Sequence, residues 1–230
     1  MTTNSPLGRY QLFDLIEDIT QLNVLLVLES PHINEYIHRH PAAGNAAAEL
    51  TKFFTAQGYA RCFNDDLPIG CNIKTQQYPF LGIMNCSSLP MNKEFYPCTI
   101  SEDRAVLVEK LMTMRTKLSK GIDADYIKPS APECELFNDF ANRLTAVLKA
   151  TLLVETTVSV AASSANVVTE NPLIIVPCGF VATNFVKRFQ ANYKGTLNVL
   201  QHLPHPSAAD WQECIKNIAI TDCIPQDMVP

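Results

Sequence analysis

Four short apolar stretches punctuate the chain, at residues 23–28 (NVLLVL), 80–84 (FLGIM), 173–176 (LIIV) and 196–203 (TLNVLQHL). The first is an unbroken apolar run, which marks a strand buried on both faces. Between these stretches the spacing turns helical. Residues 10–20 carry Leu12, Phe13, Leu15, Ile16 and Ile19, which suits an amphipathic helix. Residues 46–57 place Leu50, Phe53 and Phe54 inward, with Gly58 at the stop. A third helix is expected from a Ser101 cap to about Lys120, with Glu102 and Asp103 at the positive end of its dipole. A fourth opens at Pro132 and runs to about Leu148. One more follows Gly179, and a last one covers about 208–220. Residues 152–170 show no clear period and leave a helix extension, an extra strand and an insertion open.

Strands alternating with helices describe an α/β fold: a three-layer sandwich around a central, mostly parallel four-stranded sheet. No repeat or linker interrupts it, so residues 1–230 are read as a single domain. In such sheets ligands bind beyond the carboxyl ends of the strands. The polar residues gather at those ends: Glu29, Ser30 and His32 after the first strand, Asn85 after the second, Gly179 after the third, His205 and Ser207 after the fourth.

Composition narrows the class. Hydrophobic residues make up 47% and charged residues 18% of the 230, enough for a sizeable core. No apolar run approaches the roughly 18–20 residues that cross a bilayer, and the start, MTTNSPLGRY, lacks the pattern of a secretory signal. The expectation is a soluble, cytoplasmic protein with no membrane partner. The net charge of −5 counts against a broadly basic nucleic-acid surface but leaves room for a local basic cleft. A basic rim around Glu29, Asn85 and His205 would favour a nucleic-acid ligand, and an acidic rim a binding module. The eight cysteines include no CxxC pair, so a zinc or iron–sulfur centre is not indicated, and most are read as buried free thiols. The five histidines all fall within 32–40 and 202–205, on the same sheet edge.

Four segments in order carry a resemblance. Residues 29–50 (ESPHINEYIHRHPAAGNAAAEL), with Glu29, Pro31, Glu35, Pro41, Gly44 and Ala46, resemble the first motif of the uracil-DNA glycosylase superfamily, in the branch written GExPGxxE. FLGIMNCSSLPMN (80–92) is similar to its second motif, IIVPCGFVA (174–182) to the segment before its final motif, and LPHPS (203–207) to its terminal HPS motif. The resemblance implies cleavage of the N-glycosidic bond of an aberrant base, uracil or a deaminated purine, in single-stranded or damaged DNA, with no cofactor. A base flipped from the stack would enter a closed pocket. His205 would donate a hydrogen bond to the base oxygen as negative charge develops there. Glu29 would favour the sugar cation or orient water, and Ser30 stands where other branches carry the water-activating residue. Asn85 would read the Watson–Crick edge and Ser207 would contact a phosphate. Pro31, His32, Ala42 and Gly179 would complete the binding surface.

The chain departs from the pattern at several places. Leu28 replaces a glycine, narrowing the mouth, and His32 replaces a glycine or tyrosine. Ala42 falls where the family carries the aromatic that stacks on the base, so Tyr36, Phe95 or Tyr96 would have to substitute. Ala208 and Ala209 follow HPS, where a bulky wedge is common. Two other functions stay open: a non-catalytic module that binds a nucleotide or nucleic acid in the same cleft, and a metal-dependent hydrolase using His38, His40, His202 and His205 with Glu29 or Glu35.

Overall fold

The computed structural model describes residues 10–56, 64–76, 79–120, 133–159, 173–200 and 203–205. Its centre is a four-stranded, all-parallel sheet in the order β2-β1-β3-β4. The strands are β1 (Val24–Leu28), β2 (Leu81–Asn85), β3 (Ile174–Pro177) and β4 (Asn198–Val199). β1 runs in register with both neighbours, Leu26 facing Ile83 on one side and Val176 on the other. Every residue of β1, β2 and β3 is buried, as continuous apolar runs require of strands covered on both faces.

Side-chain alternation divides the core. Val24, Leu26 and Leu28 of β1 point, with Ile83 and Val176, toward Leu50, Phe53 and Phe54 of α2 (Asn45–Phe54) and Ile69 and Ile73 of α3 (Ile69–Gln76). Leu25 and Val27 point the other way. They meet Leu111, Met114 and Leu118 of α4 (Glu102–Ser119), Phe140 and Leu144 of α5 (Glu133–Ser159) and Phe185 of α6 (Phe180–Asn192). Helices therefore cover both sheet faces, and the α/β class expected from the strand–helix alternation holds. A short helix, α1 (Ile33–His38), lies between β1 and α2.

Several expectations are corrected. Residues 10–20 contain no α-helix: Leu15 makes an antiparallel bridge to Ile83, and the Leu12 N–H reaches Ser88 O at 2.9 Å. Leu12 and Leu15 are buried while Phe13 is 81% exposed, so this segment lies extended against β2. The apolar spacing fits either form, and the free edge of β2 supplied the hydrogen bonds that chose between them. α5 continues to Ser159, which settles the first part of the undecided stretch as helix extension. The fourth strand is shorter than expected, with a separate bridge pairing Cys178 and Leu203. Ser101 holds the N-cap position of α4 without a side-chain capping bond. Of the described cysteines, Cys86 and Cys178 are buried, whereas Cys71, Cys98 and Cys134 are not. Pro132, the helix expected over 208–220, Ala208 and Ala209 lie outside the described residues. None of the described helices is long and apolar enough to cross a membrane.

Candidate functional site

The carboxyl ends of the strands open onto a pocket of about 350 Å³, within the roughly 300–1,000 Å³ range of small-molecule sites. Glu29, Ser30, His32, Ala42, Asn85 and His205 all line it, so residues from three separate strand exits converge as the edge rule expects. Leu28 lines it too. Pro31 is buried behind this surface. Ser207 and His202 lie outside the described residues.

Asn85 closes β2 and is only 3% exposed. Its Nδ2 donates to Glu35 Oε2 at 3.2 Å, and its Oδ1 has no hydrogen-bond partner in the structure. A buried carbonyl oxygen without a donor costs about 1–3 kcal/mol. The amide cannot simply turn over to relieve this while Glu35 is ionised, because that would set two acceptor oxygens together. The backbone of Asn85 is held from below: Arg143 Nη2 donates to Asn85 O at 2.8 Å and to Cys86 O at 3.2 Å. Arg143 is itself fixed by Asp14 at 2.5 Å and Asp139 at 3.0 Å. Asp14 also takes a backbone hydrogen bond from Asn85.

Glu35 enters from α1, in its first turn, and is 6% exposed. The Ala42 N–H donates to its Oε1 at 3.0 Å. Burial pushes its carboxyl up to about 7, against hydrogen bonds from the Ala42 backbone, the Asn85 amide and the His32 backbone that favour the charged form. Ala42 is left-handed, at φ 55°, a conformation that costs a non-glycine residue about 1–2 kcal/mol. Two bonds hold it there, its N–H to Glu35 and its C=O to the Gly70 N–H at 3.0 Å. Strain fixed on both sides in this way is typical of binding surfaces.

Across the pocket, Arg115 of α4 donates from Nε to Glu29 Oε1. The His205 imidazole is held below its usual pKa, chiefly by burial, with Glu29 opposing and Arg115 assisting. That favours the neutral imidazole, which carries one N–H. Gly179 supports it from behind, at φ 91° and ψ 163°, a region open essentially to glycine alone. A Cβ there would stand 3.3 Å from His205 Cβ. Gly179 is thus a positioning residue and not part of the pocket lining. Ser30 Oγ accepts from the Met91 N–H at 3.4 Å, which ties the strand exit to the loop after β2.

Phe95 lines the pocket, and its ring lies 4.3 Å from that of His32. It provides the aromatic surface that Ala42 cannot. Tyr36 and Tyr96 are engaged elsewhere, donating their hydroxyls to Tyr10 O at 2.6 Å and Pro90 O at 2.9 Å. Burial raises both phenols. The proposed four-histidine metal set does not assemble among the described residues, because only His205 of its described histidines lines the pocket.

Sequence reading missed Arg115 and Arg143, and gave Glu35 only a motif position and a place in the alternative metal set. The two arginines sit within helices, where a cation usually marks a solvated face. Nothing in their spacing distinguishes them. Charged groups on the pocket wall are Glu29, Glu35 and Arg115, so the described rim is not basic. No protein-family model matches the chain, and no curated protein matches it.

Proposed function

We propose that this protein is an N-glycosyl hydrolase that removes a lactam-edged base, uracil or a deaminated purine, from DNA, on a fold of the uracil-DNA glycosylase type. The observation that carries the reading is the Asn85 amide, buried at the pocket floor with Oδ1 unpartnered and Nδ2 pinned by Glu35. One amide N–H remains beside that oxygen. Together they complement a carbonyl next to a ring N–H, the edge that uracil, hypoxanthine and xanthine share.

The remaining parts follow from the chemistry of the bond. Leaving-group departure puts negative charge on the base and positive charge on the sugar. Neutral His205 donates to the base oxygen and stabilises the first charge where it develops. Glu29 faces the second charge, with Ser30 beside it to hold the attacking water. The Phe95 ring stacks on the base, a contact worth about 1–3 kcal/mol. The all-parallel order β2-β1-β3-β4 with helices on both faces is consistent with this fold type.

The test is abasic-site formation on single-stranded oligonucleotides containing uracil, hypoxanthine or xanthine, read by alkaline cleavage. Cleavage of at least one is expected, abolished in His205→Ala and reduced at least 100-fold in Asn85→Ala. Folded protein that cleaves none of the three removes the hydrolase reading.

One feature favours the binding-module alternative. Glu29 is already engaged by Arg115, and the described rim carries two carboxylates against one guanidinium. Thermal shifts with free uracil, uridine and hypoxanthine separate the two readings, since a ligand that binds only the native state raises Tm. A shift without turnover selects the binding module.

A further inference from the structure

Two of the histidines that pattern alone assigns to the ligand edge do not reach the pocket. His38, His40 and Cys71 each bring one donor atom into a group within 4.8 Å of one another. Cys71 Sγ lies 3.9 Å from His38 Nδ1, and the two imidazole centroids are 5.8 Å apart. We propose that these three side chains form a metal site for a borderline or soft cation of the zinc class, separate from the pocket and independent of the glycosidic reading.

The backbone is shaped to bring the three together. On a continuing helix, residues two apart point to nearly opposite faces. Arg39, between the histidines, is the C-cap of α1 and turns left-handed at φ 61°, which brings His40 round toward His38. Cys71 arrives on α3, whose approach depends on Gly70. A Cβ there would stand 2.1 Å from Pro41 O and 2.9 Å from His40 Nδ1. The same Gly70 N–H binds Ala42 O, locking α3 against the turn.

The donor chemistry fits as well. His40 Nδ1 lies 3.0 Å from Pro41 O, which can only accept. That nitrogen therefore bears the proton, leaving Nε2 with the lone pair. A second ring nitrogen anchored to a backbone carbonyl is the usual outer support of a metal-bound histidine. Two imidazoles and a thiolate suit zinc, cobalt or copper(I) and disfavour magnesium or calcium. Tetrahedral bonds of about 2.0 Å to nitrogen and 2.3 Å to sulfur set donors roughly 3.3–3.7 Å apart. Cys71 Sγ and His38 Nδ1, at 3.9 Å, are near that spacing already, and His38 is exposed and free of core packing. Three protein donors leave the fourth position for water. A bound ion would join the end of α1, the Pro41–Ala42 turn and α3, bracing the turn that donates to Glu35.

The test is an anaerobic titration of the reduced full-length chain with Co²⁺, read by the thiolate-to-cobalt charge-transfer band and tetrahedral d–d bands, then displaced by Zn²⁺. The proposal expects these bands in the wild type and their loss in Cys71→Ser. It expects affinity at least tenfold weaker in His38→Ala, an exposed substitution that leaves the core intact. Far-ultraviolet circular dichroism confirms that each variant folds. Wild type without the bands overturns the site, as do bands that survive Cys71→Ser or are indifferent to His38→Ala.

Discussion

The two carboxylates of the pocket stand six positions apart in the chain, and their surroundings differ completely. Glu29 leaves β1 into the reach of a guanidinium on α4. Glu35 is buried in the first turn of α1, with backbone and amide donors around it, and is pushed up to about 7. One is paired with a cation. The other is poised to hold or release a proton near neutral pH. The difference follows from the elements that meet each carboxylate, α4 at Glu29 and α1 with the turn after it at Glu35.

The largest change to this contrast should come from removing the support under the Glu35 wall. Arg143→Ala withdraws the donors from Asn85 O and Cys86 O and takes the counter-charge from Asp14. Stranding one partner of a buried pair costs about 3–5 kcal/mol, and partial exposure places this case near the lower figure. Urea unfolding measures it; a loss below 1 kcal/mol would mean Arg143 does not anchor the pocket floor.

Next is the pH dependence of stability. The Glu35 carboxyl binds its proton more tightly in the folded chain, about 7 against 4.5. Its contribution is therefore full below about 4.5 and is lost as pH rises through about 7. At about 1.4 kcal/mol per unit, the loss is a little over 3 kcal/mol. Glu35→Gln should flatten that slope in unfolding free energies measured from pH 4 to 8. It should also invert the Asn85 amide, since Gln gives an oxygen to Ala42 N–H and an amide to Asn85. Base preference would then move from a lactam edge toward an amino-substituted one such as cytosine. An unchanged slope would show that Glu35 titrates as an ordinary carboxylate.

Gly179→Ala tests the far wall. A left-handed backbone at φ 91° and a Cβ 3.3 Å from His205 should cost about 1–3 kcal/mol. Turnover or ligand binding should fall further than stability alone explains, because the imidazole is displaced. Equal stability and undisturbed His205 resonances would remove its positioning role.

The smallest effect is expected from Arg115→Met. The arginine side chain is 37% exposed, and pairs of that kind contribute about 0–1 kcal/mol. Stability in urea unfolding at pH 7 should barely change. A loss above about 2 kcal/mol would mean that the pair is shielded from solvent as a buried one is.

Much of this architecture was legible in the chain. Residues 24–28, 80–84 and 173–176 carry no polar side chain, and only a strand covered on both sides tolerates that. Polar residues directly after them had to mark the sheet edge, so Glu29, Ser30, Asn85 and His205 could be gathered at one pocket before any coordinates. Residues 10–20 misled because Leu12 and Leu15 satisfy a helical spacing equally well. α1 and α3 passed unnoticed, being only six and eight residues long, too short to establish a period.

Local sequence determined which segments are strands, which end of the sheet is polar and which side chains stand there. Those properties depend on neighbours in the chain. Tertiary structure alone decided that Arg115 meets Glu29, that Arg143 grips the backbone of Asn85, that Phe95 supplies the ring and that His38 and His40 turn toward Cys71. Each of these is a charge, hydrogen-bond or ring contact between residues distant in sequence, or depends on one left-handed residue. Their energies depend on burial and on distances of a few ångströms, which the order of residues does not encode locally.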